Sequence, residues 1–216
     1  MQFDKEIFLR DYEGRAGLNP LQRPGLETLL DQIMADVEFT RIREIAYLLA
    51  TVKGETGFFQ PVREKRANPQ RQPDLFKLQQ RYFPSGFFGR GYVQLTFEDN
   101  YRNAGVKLTG KTVALDSCCG PPRAITIGPE TFVKEPNLVL QPGVSYLILA
   151  RGMREGWFRS RPNGARFKLS DFIKDGQPPD YVNARNIING DVKKNGGKFA
   201  GFANEFELAL RASVIE

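Results

Sequence analysis

The chain has 216 residues, of which 41% are hydrophobic, a globular composition that suits one domain with a sizeable core. Its net charge of +6 and its pI of about 9.4 favour a polyanionic partner, and nucleic acid, an anionic cell wall and mere basic solubility all stay open. The chain contains no histidine, which excludes Ser-His-Asp and Cys-His catalysis and most zinc sites, so we expect neither a metal nor a cofactor.

The first predicted elements are two helices that follow a polar segment, residues 1 to 23. Pro24 stands near the start of the first helix, where its missing N–H does no harm. The apolar face of this helix follows the i, i+3, i+4, i+7 spacing: Leu26, Leu29, Leu30 and Ile33. The second helix is predicted to begin with Thr40 as its N-cap and to end between Gly54 and Gly57. Its buried stripe comprises Ile42, Ile45, Ala46, Leu49 and Val52.

A long surface loop over residues 61 to 88, interrupted by one short helix, is predicted next. Asp74 is the predicted cap of that helix, one face of which carries Leu75, Leu78, Gln79 and Tyr82. Residues 89 to 96 alternate as a strand does, which places on one side Tyr92, Gln94 and Thr96. Residues 98 to 104 are predicted to be helical, whereas residues 105 to 130 show no pattern that we can interpret.

The C-terminal part of the chain is predicted to be mostly helical. A helix from Leu138 has the buried positions Val144, Leu147, Ile148 and Ala150. A loop then holds the single tryptophan, Trp157, and two short helices follow near residues 169 to 173 and 181 to 188. The last helix covers residues 202 to 212. The sum is a mainly α (α+β) chain that forms a single domain over residues 1–216 with one small β-hairpin.

Two glutamates that follow the second helix, Glu55 and Glu64, are the candidates for acid and base catalysis. The macrodipole at a helix C-terminus and the neighbouring Phe58 and Phe59 favour a protonated Glu55. Positive neighbours favour an ionised Glu64: Arg63, Lys65 and Arg66. Two carboxyls whose surroundings shift their pKa values in opposite directions are typical of an acid and base pair. On spacing alone, however, two idle surface glutamates are the favoured explanation, because most carboxylate pairs do no catalysis.

The polar residues of G-R-G-Y-V-Q-L-T, Gln94 and Thr96, are candidates for holding a water and a sugar, and each has a simpler reading. Gln94 fits an exposed strand position, and Thr96 fits the N-cap of the next helix because T-x-x-D with Asp99 resembles a capping box. The G-x-G inside the stretch lacks the third glycine of a dinucleotide fingerprint.

A Walker A pattern occurs at Gly105–Thr112, G-V-K-L-T-G-K-T. A nucleotide-binding P-loop follows a buried strand and opens a helix. Here the preceding residues 100 to 104 look helical, and the following residues lead into the sequence Cys-Cys-Gly-Pro-Pro at 118 to 122. The context therefore argues against a nucleotide-hydrolysing enzyme.

The adjacent cysteines, Cys118 and Cys119, are predicted to be free thiols, because neighbouring Cα atoms lie about 3.8 Å apart and a disulfide prefers about 5.5 Å. A strained vicinal redox pair is the alternative. No apolar run reaches the ~18 residues of a membrane-spanning helix, so we expect no stable membrane insertion. The N-terminal residues 1 to 6 lack the basic head and apolar core of a Sec signal, so we expect synthesis in the cytoplasm without one.

Three motifs together resemble one enzyme family. They are A-T-V-K-G-E-T-G-F-F-Q-P-V-R-E from Ala50, F-F-G-R-G-Y-V-Q-L-T-F-E-D-N-Y from Phe87, and A-R-N-I-I-N-G at Ala184–Gly190. With the motifs in this order, the chain resembles glycoside hydrolase family 19, which includes chitinases and related phage endolysins. The resemblance spans most of the chain, from residue 50 to residue 190, and the second motif is its most specific part.

The resemblance implies a lysozyme-like fold with two lobes, a cleft between them and a small hairpin beside the cleft. It implies β-1,4 cleavage beside an N-acetylated sugar with inversion, which needs catalytic carboxyls ~6.5–9.5 Å apart. Glu55 would be the general acid and Glu64 the general base, and Thr96 would help to hold the attacking water. The positions that would bind sugar are Gln94, Tyr92, Asn100 and Asn189. Aromatic residues that are candidates for stacking on sugar rings, with core packing as the alternative, are Phe87, Phe88, Tyr92 and Trp157.

The sequence departs from the family pattern at three places. Gly54 stands where the family often has histidine before the acid, and residues 109 to 129 have no counterpart. The residues after Asn189 and Gly190 do not clearly reproduce the acidic residue that plant members pair with an arginine.

Peptidoglycan is the favoured polymer, because secreted chitinases carry signal peptides and often cysteine-rich modules, which the sequence lacks. We expect a monomeric cell-wall lysin that does not bind nucleic acid and that reaches the wall after holin-type release or another delivery. Three alternatives stay open: a chitinase, a wall-binding protein without catalysis, and a nucleic-acid binder that uses the basic loop from Arg63 to Arg81.

Overall fold

The computed structural model describes residues 2–116 and 123–215. The helices within these residues are, in chain order, α1 (Lys5–Ala16), α2 (Arg23–Ala35), α3 (Ile42–Thr56), α4 (Pro73–Gln79), α5 (Glu98–Lys107), α6 (Thr131–Lys134), α7 (Pro142–Glu155), α8 (Leu169–Phe172) and α9 (Gly197–Ser213). The strands are β1 (Val62–Arg63), β2 (Arg90–Gly91), β3 (Thr112–Leu115) and β4 (Arg123–Thr126). This content confirms the predicted mainly α (α+β) class.

The chain forms two compact units. Unit 1 comprises Met1–Gln60 together with Leu149–Glu216, and unit 2 comprises Pro61–Ile148. The prediction of one catalytic domain over the whole chain stays a prediction. The predicted thiols of Cys118 and Cys119 lie outside the described residues, and none of the helices that the structure describes is long and apolar enough to cross a membrane.

The core of unit 1 is built where α9 packs against both α1 and α3. Stacked aromatic rings fill it, and the ring centroids of Tyr12 and Phe206 lie 4.4 Å apart. Helix α1 lies in the polar segment, for which the sequence predicted no helix. Asp4 caps this helix by accepting the N–H of Ile7 at 2.9 Å. The buried face of α1 is too narrow to give a clear helical periodicity in the sequence, since it has only three buried residues: Phe8, Leu9 and Tyr12.

The next two helices of unit 1 follow the sequence patterns closely. Pro24 lies in the first turn of α2, and all four predicted apolar positions are buried. Helix α3 ends at Thr56, because Gly57 takes a φ of 74° and donates its N–H to the carbonyl of Lys53 at 3.1 Å. The predicted N-cap was wrong: Arg41 precedes the helix, and no side-chain hydrogen bond caps it, so Thr40 plays no capping role.

The described residues of unit 2 form two antiparallel two-stranded sheets rather than one hairpin. Strand β1 pairs with β2, with Val62 opposite Gly91, and β3 pairs with β4. The predicted strand over residues 89 to 96 was wrong in its second half. The chain turns after Gly91, Gln94 takes a φ of 52°, and the N–H of Leu95 returns to the carbonyl of Arg90 at 2.8 Å. An alternating pattern of a few residues cannot distinguish a strand from a strand followed by a tight turn.

The Walker A pattern has the wrong surroundings for a P-loop. Residues 105 to 112 connect the end of α5 to β3, whereas a P-loop connects a strand to a helix. Gly105 belongs to the packing of α5, because a Cβ there would lie 2.4 Å from the carbonyl oxygen of Pro129. The structure therefore removes the nucleotide-binding interpretation.

Candidate active site

Glu55 lies in the last turn of α3, in unit 1, with its side chain 16% exposed. Its Oε1 accepts a hydrogen bond from Nη1 of Arg185, which comes from the 3₁₀ turn Asn183–Ile187. The Arg185 side chain is only 4% exposed. A buried guanidinium therefore contacts the candidate acid directly.

The guanidinium of Arg185 also holds a second carboxylate. Its Nε donates to Oδ1 of Asp191 at 2.6 Å and its Nη2 donates to Oδ2 at 3.4 Å. Asn195 donates a further hydrogen bond to Asp191 through Nδ2. The residue after Asn189 and Gly190 thus supplies the acidic partner of an arginine, which the sequence did not clearly indicate.

The two carboxylates on this arginine titrate differently. Burial raises the pKa of the Glu55 carboxyl, and the charge and hydrogen bond of Arg185 oppose that rise without cancelling it. Burial also acts to raise the pKa of Asp191, but there hydrogen bonds from Arg185 and Asn195 prevail and lower it. Glu55 is therefore the carboxyl that keeps its proton to higher pH, which is the condition a general acid needs.

Phe199 of α9 fixes the arginine from the other side. The centroid of its ring lies 4.1 Å from Cζ of Arg185, a cation–π distance. The ring occupies the space beside Gly54, where a Cβ would lie 2.2 Å from Cζ of Phe199. Glycine at position 54 therefore admits the ring that supports Arg185.

Gly54→Ala is expected to destabilise the protein by about 1–3 kcal/mol, because the new methyl group must displace the Phe199 ring or shift α3 from α9. Urea unfolding measures the change. Gly201→Ala is the matched control, since Gly201 lies within α9 with nothing near its missing Cβ, and we expect it to be neutral or stabilising by about 0.5–1 kcal/mol. Equal stability of wild type and Gly54→Ala would contradict the contact.

Glu64 lies directly after β1, in unit 2, and three donors surround its carboxylate. Oε1 accepts Nε2 of Gln79 at 2.9 Å and the hydroxyl of Tyr82 at 2.8 Å. Oε2 accepts the backbone N–H of Gly89 at 2.9 Å. Gln79 and Tyr82 are both buried, so the orientation of the Glu64 carboxylate is determined by groups that have little freedom to move.

The helix that supplies these donors differs from its prediction. Leu75 and Leu78 of α4 are 39% and 48% exposed, whereas Gln79 is fully buried. Asp74 lies inside the helix, and Gln72 takes the N-cap position without a side-chain hydrogen bond. A glutamine and a tyrosine three residues apart were grouped on one face, but nothing in the sequence showed that they point at Glu64.

Gln94 joins the same group through its amide. Its Nε2 donates to the carbonyl oxygens of Val62 at 2.9 Å and Gly91 at 3.0 Å, which connects the turn after β2 to β1. A Cβ on Gly89 would lie 2.8 Å from Oε1 of Gln94 and 3.1 Å from Oε2 of Glu64. Glycine at 89 therefore allows both side chains to approach the same backbone.

Thr96 and Asn100 extend this hydrogen-bonded chain along the backbone. The Thr96 hydroxyl donates to the carbonyl of Gln94 at 2.8 Å, and Nδ2 of Asn100 donates to the carbonyl of Thr96 at 2.7 Å. Phe97 is the residue before α5, and no side-chain hydrogen bond caps that helix. The capping-box reading of Thr96 was therefore wrong, and its proposed role beside the water stays a prediction.

The remaining candidates fall in different surroundings. Tyr92 is 1% exposed and Trp157 is 5% exposed, and Phe87 is also buried, so these rings serve as core residues rather than stacking surfaces. Phe88 is half-buried. Asn189 is exposed in unit 1, with its backbone N–H donated to the carbonyl of Arg185 at 3.0 Å. Its sugar-binding role stays a prediction.

The chain is similar to a crystal structure of a chitinase C mutant, with 22% sequence identity and a TM-score of 0.48, over 97% of this chain and 76% of that chain. No protein-family model matches the chain, and no curated protein matches it. A similarity at this identity and TM-score leaves the family open.

Proposed function

We propose that the chain is an inverting glycoside hydrolase that cleaves β-1,4 bonds in N-acetylglucosamine-containing polymers, with bacterial peptidoglycan as its substrate. The observation that carries the proposal is that the two motif glutamates differ in surroundings. Glu55 is buried against Arg185 with a raised pKa, and Glu64 accepts hydrogen bonds from three fixed donors. An inverting glycosidase needs one carboxyl of each kind.

In the proposed reaction the two carboxyls take complementary roles. Protonated Glu55 gives its proton to the glycosidic oxygen as that bond breaks, which neutralises the leaving group. Ionised Glu64 takes a proton from the attacking water, whose oxygen forms the new bond to the anomeric carbon. Thr96 assists in holding that water. Gln94, Asn100 and Asn189 bind the sugar, and Tyr92, as a core residue, is left out of this part of the proposal.

Arg185 tunes the acid in this scheme. Arg185→Gln is expected to move the alkaline limb of the kcat/KM profile to higher pH. Catalysis requires protonated Glu55 and is lost as pH rises through the pKa of Glu55. Removing the cation leaves Asp191 as an unpaired negative charge nearby, so the pKa of Glu55 rises further.

The measurement is the pH dependence of hydrolysis of a soluble N-acetylglucosamine oligomer. Arg211→Gln is the control, because Arg211 is half exposed on α9 and pairs with Glu207. An alkaline limb that stays in place or moves to lower pH in Arg185→Gln would exclude this role for Arg185.

Peptidoglycan is proposed over chitin because the net charge of +6 suits an anionic wall, whereas chitin is neutral. The chain would act as a monomer, without nucleic acid, after release to the wall. Digestion of purified peptidoglycan and of chitin oligomers, followed by mass analysis of the new reducing ends, tests the substrate and the bond together. New reducing ends from neither polymer would refute the hydrolase. Faster cleavage of chitin than of peptidoglycan would favour the chitinase instead.

A further inference from the structure

The positive charge of the chain is concentrated in residues 61 to 88 of unit 2. This segment holds two acids, Glu64 and Asp74, against six cations: Arg63, Lys65, Arg66, Arg71, Lys77 and Arg81. It therefore contributes a net +4 to the chain total of +6. Among residues 2–116 and 123–215, none of these six cations forms a salt bridge.

Aromatic rings position two of these cations. The rings of Phe83 and Phe88 stack with centroids 4.6 Å apart and planes 13° apart. Cζ of Arg63 lies 5.5 Å from the Phe88 centroid, and Cζ of Arg66 lies 5.9 Å from the Phe83 centroid and 5.5 Å from that of Phe76. We call these five residues the arginine–aromatic surface. Arg63 and Arg66 are exposed and the three rings are half-buried, so the surface is accessible to a ligand.

This surface is connected to Glu64 through the chain and through one ring contact. Arg63 precedes Glu64 in the chain, and the ring of Tyr82, whose hydroxyl donates to Glu64, lies 5.8 Å from the Phe83 ring. The Arg63 guanidinium is fixed in part, because Nη2 donates to Oδ1 of Asn137 at 2.7 Å. A polymer that reaches Glu64 therefore has a preformed surface beside it.

The chemistry of the surface selects a type of polymer. Phe88 packs against both Phe83 and Arg90, whose Cζ lies 3.9 Å from the Phe88 centroid, so the rings that offer apolar surface to a sugar are those of Phe76 and Phe83. An exposed guanidinium suits a carboxylate, which it binds through two parallel hydrogen bonds. We propose that the arginine–aromatic surface binds a glycan strand that carries carboxylates, next to Glu64. The inference relies on the proposed function for the place of Glu64 as the base. It goes further by naming residues that distinguish an anionic glycan from a neutral one.

Single-stranded nucleic acid is the competing ligand for a surface of this composition, because bases also stack on rings beside arginine. The glycan is favoured for two reasons. The first is that the surface has one stacked pair of rings rather than a row along a groove. The second is that the ligand of the proposed function is itself a glycan.

Co-sedimentation with insoluble polymer tests the proposal in the Glu55→Gln background, in which the polymer is not consumed. The polymers are peptidoglycan stripped of phosphate-bearing wall polymers, and chitin. Arg66→Gln is expected to weaken binding to peptidoglycan at least fivefold and to lower the ratio of peptidoglycan to chitin affinity by a similar factor. Lys77→Gln, a change of equal charge in the same segment at an exposed position with no ring contact, should weaken binding less than twofold. Arg66→Lys should fall between them, because lysine keeps the charge and loses the planar group.

Equal losses in Arg66→Gln and Lys77→Gln would overturn the proposal, since net charge alone would then explain binding. Tighter binding to single-stranded DNA than to peptidoglycan at the same salt concentration would overturn it as well. These readouts need no turnover. A protein that binds peptidoglycan as expected but cleaves no glycan therefore refutes only the hydrolase, and one that cleaves glycan with no selective effect of Arg66→Gln refutes only the surface.

Discussion

Glu55→Gln is expected to lower kcat for glycan cleavage by about 10²–10⁴-fold, the contribution typical of a general acid, while binding of the polymer is kept. The change removes the transferable proton and preserves the shape of the side chain, whose oxygen can still accept the hydrogen bond from Arg185. Release of reducing ends measures the loss. Glu38→Gln, at an exposed carboxylate of unit 1, is the control that should leave the rate unchanged.

The same variant has an expected effect on stability that depends on pH. The pKa of Glu55 in the folded protein lies above its value of about 4.3 in the unfolded chain. The wild type therefore loses stability as pH rises from the unfolded pKa to the folded pKa. Glu55→Gln should therefore be at least as stable as the wild type at pH 7, and its advantage should shrink below about pH 4. A variant that clears cell-wall suspensions as fast as the wild type would contradict the enzymatic function and would favour a wall-binding protein.

Glu64→Ala is expected to reduce turnover by about 10²–10⁴-fold through loss of the base, and added azide should restore part of it. Azide is a small anionic nucleophile that needs no base, and the shortened side chain leaves space for it. Azide should not restore the equally shortened Glu55→Ala, because the leaving group still lacks its proton. The glycosyl azide product, identified by mass, is the measurement that separates the two roles.

Glu64→Ala also removes the acceptor of the buried Tyr82 hydroxyl and one of the two acceptors of the Gln79 amide, which keeps the carbonyl of Lys65. We therefore expect a loss of about 1–3 kcal/mol in unfolding free energy. Folding at the assay temperature must be verified by circular dichroism. Glu98→Gln, at an exposed carboxylate of unit 2, is the matched control. Azide rescue of Glu55→Ala, with none in Glu64→Ala, would mean that the roles are exchanged.

The sequence predicts the helices with wide apolar faces and misses the elements whose signal is short. Helices α2 and α3 repeat their apolar residues over three or more turns, so their position follows from periodicity. Helix α1 buries only three residues, and β3 and β4 have four residues each. Segments this short give no hydrophobic periodicity that can be told from chance. The turn at Gln94 depends on a positive φ, and a glutamine in the sequence gives no indication of one.

The candidate site divides in the same way. Glu55 and Glu64 are found from their motifs and from the local environment that the neighbouring residues suggest. Their partners are not found, because Arg185 lies 130 residues from Glu55 in sequence, and Gln79 and Tyr82 reach Glu64 only through the packing of α4. The groups that bind and orient each carboxyl thus come from tertiary contacts, which the local sequence does not specify.

The contact between Gly54 and Phe199 makes these two positions dependent on each other in evolution. A histidine at position 54 has no room while phenylalanine occupies position 199, because even a methyl group would overlap the ring. A small residue at position 199 alone would leave the guanidinium of Arg185 without its aromatic neighbour. A lineage that replaces glycine at position 54 by a larger residue must therefore pass through an unfavourable single mutant or change both codons together.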